Sequence, residues 1–118
     1  MNQDHADSPA DAFRIGETPL HPGEVLKKEL AALNVRPAEL SRQINVPANR
    51  ITQIMKGLRG ITGDTALRLG HWFENDPRTW MNLQSVYDIQ LAAQEAGQEI
   101  EALPTRNTQT AGQDTPAA

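Results

Sequence analysis

Residues 37–60 read PAELSRQINVPANRITQIMKGLRG, and their periodicity decides the fold. At about 100° of rotation per residue, Ile51, Ile54, Met55 and Leu58 form one apolar stripe at i, i+3, i+4 and i+7. Asn49, Thr52, Gln53 and Lys56 repeat that spacing on the opposite side, with Arg50 flanking them. Upstream, Pro37 opens another short helix that turns Leu40 and Ile44 inward. Pro47 breaks the chain between the two, because it lacks an N–H and disfavours helix in the residue before it. The pattern is two short helices around a tight turn. The outer face of the later helix carries amides, a hydroxyl and cations, but no Glu or Asp. A solvated face, the competing reading, ordinarily carries carboxylates in a small acidic protein. DNA repels carboxylates, whereas amide, hydroxyl and cationic groups suit base edges and phosphates.

Working outward, a first helix is expected from Pro22, with Leu26, Leu30 and Leu33 at i, i+4 and i+7. Beyond the central pair, Gly57, Gly60 and Gly63 mark a loop, and Thr62 is the expected N-cap of a fourth helix with Ala66, Leu69, Gly70 and Phe73 inward. Asp76-Pro77 restarts the chain as N-cap plus first-turn proline, giving a fifth helix to about Ala96. That helix has two apolar stripes. Trp80, Leu83, Tyr87 and Leu91 can cover the core. Val86, Ile89 and Ala93 lie well away from them with no partner left in so small a domain, which suggests a homodimer seam. The fold class is therefore all-α, five helices with a helix-turn-helix at the centre, over residues 21–96. It is flanked by a flexible acidic arm, 1–20, and a polar, disordered tail, 97–118, both low in apolar content.

Net charge is −4 over 118 residues, which at first sight opposes nucleic-acid binding. Its distribution does not. Asp4, Asp7, Asp11 and Glu17 outweigh Arg14 in the arm, and Asp88, Glu95, Glu99, Glu101 and Asp114 outweigh Arg106 after residue 87. Between residues 36 and 59, Arg36, Arg42, Arg50, Lys56 and Arg59 face Glu39 alone. A basic window between acidic ends is the electrostatic footprint that a whole-chain charge conceals.

Other classes fail on inventory. The chain has no cysteine, hence no disulfide framework and no thiolate metal site, which fits a reducing cytoplasm. His5, His21 and His71 are scattered without metal-ligand spacing, so His21 is expected to pack or cap beside the first helix, and no cofactor or metal is expected. No glycine motif cradles a phosphate, and Trp72 and Trp80 are expected as core or interface anchors. No apolar run approaches a membrane span, and MNQDHADSPADAF lacks the features of a secretory signal. No enzymatic site is expected.

Five local motifs occur in order: His21-Pro22-Gly23-Glu24, Val46-Pro47-Ala48-Asn49-Arg50-Ile51, Ile61-Thr62, Asp64-Thr65-Ala66-Leu67-Arg68-Leu69, and Trp80-Met81-Asn82-Leu83-Gln84. Together, over about residues 20–91, the chain resembles the HigA-type antitoxins, a branch of the Xre/Cro-like helix-turn-helix family. The resemblance implies a five-helix, lambda-repressor-like helix-turn-helix bundle that dimerises through its last helix, binds a palindromic operator in its own promoter and pairs with a HigB-type ribonuclease toxin. Two positions depart from the pattern. Arg36 stands where relatives often have a small hydroxyl N-cap. Gly70 replaces a more usual Ala inside a helix, at an expected cost of roughly 1 kcal/mol.

These readings place the third helix in a major groove. Asn49 and Gln53 are then the candidates for amide contacts to bases, and Thr52 for a thymine methyl or a phosphate. Arg36, Arg42, Arg50, Lys56 and Arg59 are candidates to hold the backbone. Three functions remain open: an antitoxin that also represses its operon, a solitary regulator of the same fold, and a toxin inhibitor that does not bind DNA.

Overall fold

The longer helices begin on the side chains expected to cap them. His21 Nδ1 accepts the Gly23 N–H at 2.9 Å, Thr62 Oγ1 accepts that of Thr65 at 3.3 Å, and Asp76 Oδ1 accepts that of Arg78 at 2.9 Å. Each bond satisfies a donor that the first helical turn leaves without an intrahelical partner. The computed structural model describes residues 18–107. Among them are five α-helices: α1 (Pro22–Leu33), α2 (Pro37–Gln43), α3 (Arg50–Met55), α4 (Gly63–Phe73) and α5 (Pro77–Glu101). Proline occupies the first turn of α1, α2 and α5, where its missing N–H costs nothing. Residues 1–17 of the expected arm and 108–118 of the expected tail lie outside the described residues.

Two packings build the bundle. The α4 helix lies along α5, and the short α3 is held against both α1 and α2. Between them sits a core of Leu26, Leu30, Leu40, Ile44, Ile51, Ile54, Ile61, Ala66, Leu69 and Trp80. Phe73 tilts over Trp80 with ring centroids 5.4 Å apart, and Leu83 packs against the same cluster. Trp72 is half-buried against the core, its indole N–H donating to Gln43 Oε1 at 2.7 Å. His21 serves as the cap that its place before Pro22 suggests, and its ring meets that of Tyr87 edge-on at 4.8 Å. Burial holds the His21 imidazole below its ordinary titration range, against the opposing charges of Asp88 and Glu24.

Four local expectations need correction. Leu33 is 53% exposed. The left-handed Asn34 (φ 59°) ends α1 and turns the chain, so that Val35 packs on the core in its place. Leu58 is 75% exposed, because α3 has already stopped at Met55 and Gly57 breaks the helical register. The α5 helix runs to Glu101 rather than Ala96, so residues 97–101 are not part of a structureless tail. A single Gly97 among Glu95, Gln98 and Glu99, all good helix formers, does not end a helix. Gly70, finally, is not a tolerated penalty. A Cβ there would stand 2.9 Å from the Asn75 carbonyl oxygen and 3.0 Å from Pro77 N. Only a glycine lets α4 turn this sharply into α5.

The two stripes of α5 also separate. Trp80 is buried and Leu83, Tyr87 and Leu91 are half-buried. On the other stripe, Val86 and Ala93 are half-buried and Ile89 is 49% exposed. Ile100, in the added turn, continues that stripe and is also exposed. No helix among the described residues is long and apolar enough to cross a membrane.

Candidate nucleic-acid interface

The position of α3 is set by contacts from α1 and α2, and α4 braces the end of α2 behind it. The α1 backbone approaches so closely at Gly23 that a Cβ there would lie 1.9 Å from the Ile54 carbonyl oxygen. No side chain fits that gap. From α2, the fully buried Ser41 accepts the Ile51 N–H at 3.4 Å. The turn between α2 and α3 rests on Asn45, whose left-handed φ of 60° lets Val46 N–H return to the Ser41 carbonyl at 3.0 Å. Asparagine tolerates that conformation better than most residues. Pro47 then initiates the turn into α3, its carbonyl accepting the Arg50 N–H at 2.9 Å. From α4, Arg68 Nη1 donates to the Ile44 carbonyl at 2.9 Å, satisfying the C-terminal end of α2.

Held this way, α3 buries Ile51 and Ile54 and turns its polar side out. Asn49, at the N-cap position, is exposed and makes no side-chain capping bond, so its amide is not spent on the helix start. Thr52, Gln53 and Arg50 are half-exposed, and Lys56 and Arg59 are exposed. Arg36 and Arg42, from the start and end of α2, are exposed as well. None of the eight candidates enters the core.

Their partners differ. Arg59 Nε donates to Gln53 Oε1 at 2.9 Å, which joins two of them. Arg42 pairs with Glu39, whose carboxyl also accepts from Gln43 Nε2 at 2.6 Å. Those hydrogen bonds hold the Glu39 carboxyl below its usual range. Asp64, at the start of α4, is held low mainly by its 2.8 Å bond from Arg68, with a smaller contribution from Arg50. Glu39 and Asp64 are thus each bound to an arginine, and α3 itself has no carboxylate. Arg36, the N-cap residue of α2, makes no capping bond, so its guanidinium does not serve the helix it starts.

Several residues that shape the interface carried no assigned role in the sequence. Gly23 and Arg68 lie within recognised motifs, but their functions depend on where distant backbone passes. Gln84 is another. Its Oε1 accepts the Ile61 N–H at 2.7 Å and its Nε2 donates to Asp88 at 2.9 Å, tying the loop after α3 to α5. Among the described residues, no cluster of three or more His, Asp or Glu is placed to hold a metal.

No family model matches the chain. It is 40% identical over 77 residues to Virulence-associated protein I of Dichelobacter nodosus, covering 64% of this chain and 71% of that protein. Among solved structures it is similar to an addiction module antidote protein of the HigA family from Coxiella burnetii. That pair shares 43% identity and a TM-score of 0.74, over 75% of this chain and 98% of the other. The Pseudomonas aeruginosa antitoxin HigA, solved with the higBA promoter, is 39% identical with a TM-score of 0.72, over 75% and 97%. The sequence identity, the TM-scores and the nearly full coverage of these neighbours lead to one conclusion: the chain belongs to the HigA family of helix-turn-helix antitoxins.

Proposed function

We propose that this chain is an antitoxin and transcriptional autorepressor that binds palindromic operator DNA as a homodimer and neutralises a HigB-type ribonuclease toxin in the bacterial cytoplasm. The observation that carries the DNA half is the exposed, carboxylate-free face of α3, with Glu39 and Asp64 already bound to arginines beside it. In this reading α3 enters the major groove. Asn49 and Gln53 contact bases, and Thr52 meets a thymine methyl or a phosphate. Arg50, Lys56, Arg36 and Arg42 hold the backbone. Arg42 can exchange Glu39 for a phosphate at small cost, because an exposed ion pair contributes little. A two-fold axis through the Val86, Ile89 and Ala93 stripe of α5 would set two recognition helices about 34 Å apart, one turn of duplex. The Pseudomonas antitoxin solved with its promoter supports that mode by kinship. Pairing with a toxin rests on membership of the family, and no step of catalysis is assigned to this chain.

Titration of the full chain against its own promoter duplex tests the reading. If each subunit neutralises about three or four phosphates, log affinity falls against log salt with a slope of roughly −5 to −7. Gln53→Ala should weaken the promoter more than random duplex of equal length. A slope near zero, or equal losses on both duplexes, refutes the proposed contacts. Co-purification with the product of a neighbouring short reading frame decides between an antitoxin and a solitary regulator.

A further inference from the structure

Gln53 does not stand free on the candidate reading face. Its Oε1 accepts a hydrogen bond from Arg59 Nε at 2.9 Å, and the backbone between the two residues is arranged to deliver that contact. The α3 helix ends in a paired closure: Gly57 N–H bonds to the Ile54 carbonyl at 3.0 Å and Leu58 N–H to the Gln53 carbonyl at 2.9 Å. Gly57 provides the left-handed φ of 76° that such a closure requires. The chain thereby turns at the helix end, and the Arg59 side chain reaches that of Gln53.

An amide side chain presents an acceptor and a pair of donors, and this combination pairs bidentately with adenine, whose N6 donates and N7 accepts. Here one of the two lone pairs of the acceptor is taken by a charged donor, which also stands where a second donor such as adenine N6 would approach against its positive charge. What the pair offers outward is Gln53 Nε2 together with the remaining N–H groups of the Arg59 guanidinium. Both are donors. Guanine is the base whose major-groove edge shows two acceptors, N7 and O6, and positive charge nearby favours it further. We propose that Arg59 is a specificity-determining residue, which orients the Gln53 amide so that the two side chains together read a guanine in place of the adenine that a free glutamine would select. This rests on the groove-binding role of α3 proposed above. It gives Arg59 a different part from the phosphate clamp that its charge alone suggests.

Selection of the full chain against a randomised duplex library, with binding then measured on the winning sequence, tests it. The wild type should enrich a guanine at the position that Gln53→Ala relaxes. Replacing that guanine by 7-deazaguanine, which lacks the N7 acceptor, should weaken the wild type about tenfold. Arg59→Ala should shift the preference at that position towards adenine and make binding indifferent to the 7-deaza substitution. Arg59→Lys keeps the charge without the fixed fork. It should lose the guanine preference while retaining salt-dependent affinity for random duplex. Both variants alter an exposed side chain, and unchanged melting confirms that the fold is intact. The proposal is overturned if Arg59→Ala weakens all duplexes by one factor with the preference unchanged, or if the wild type selects adenine there. A wild type that binds no duplex with salt dependence overturns the groove-binding reading itself, and this proposal with it.

Discussion

Gly70 lacks a side chain where the backbone of Asn75 and Pro77 passes close enough to strike one. In an open helix, alanine would gain about 1 kcal/mol over glycine. Here a Cβ must displace main chain on both sides of the turn into α5, and overpacking of that kind costs about 1–3 kcal/mol. Gly70→Ala should therefore lower the urea midpoint, and a raised midpoint would disprove the close approach. His21 presents a second case at this scale. Its Nδ1 must be unprotonated to accept the Gly23 N–H, and burial lowers its folded-state pKa below the ordinary 6.5. Below pH 6.5 the unfolded chain takes up a proton more readily than the folded one. The stabilisation is therefore complete above that pH and declines as pH falls towards the lower folded value. The exposed, arginine-bound carboxylates of Glu39, Asp64 and Asp76, also held low, lose their contribution only at more acidic pH. Unfolding measured between pH 8 and 5 should show a decline that His21→Gln flattens; identical slopes for both proteins would exclude the imidazole as the cause. The cap was legible in the sequence, because His21 precedes Pro22 directly. The necessity of Gly70 was not, because the atoms that exclude a Cβ belong to the next helix.

Among the elements, α3 is the least able to stand alone. Six residues fall far below the length at which an isolated helix persists in water. Its existence depends on Gly23, Ser41 and the buried faces of Ile51 and Ile54, even though the alternation of those isoleucines with Thr52 and Gln53 was readable in advance. Where it stops was misjudged by the periodicity, which carried the stripe on to Leu58; the left-handed Gly57 ends it first. The loop that follows is held from α5 by Gln84, whose Oε1 receives the Ile61 N–H. Removing that acceptor strands a part-buried donor, at a cost of roughly 1 kcal/mol or more. Gln84→Ala should speed hydrogen exchange at the Ile61 amide well beyond that of the α1 amides. Unchanged protection at Ile61 would mean that the loop holds its own shape.

At the scale of the whole molecule, the stripe of α5 that carries Ile89 is left uncovered among the described residues. Ile89 and Ile100 are exposed, and they share a face of α5 with Val86 and Ala93. If a second copy covers this stripe, Ile89→Glu should convert a dimer to a monomer in sedimentation or light scattering. The promoter affinity should fall with it, while the melting of the isolated bundle changes little, since Ile89 is not part of the core cluster. A dimer that survives the substitution would move the seam to another surface. The charge asymmetry operates at the same scale. The excess of cations gathers around α2 and α3 rather than over the chain as a whole, which is the arrangement a duplex would meet.

The sequence by itself determined which segments are helical, the caps of α1, α4 and α5, and the carboxylate-free face of α3. These follow from spacing along the chain, from the stereochemistry of proline and from side chains that reach only to their own first turn. Tertiary structure alone decided that Gly23 admits the Ile54 carbonyl and that Gln84 clamps Ile61. It also decided that Arg68 closes the end of α2 and that Leu33 and Leu58 stay in solvent. Each of these depends on which distant backbone or side chain passes within a few ångströms, and no local period encodes that.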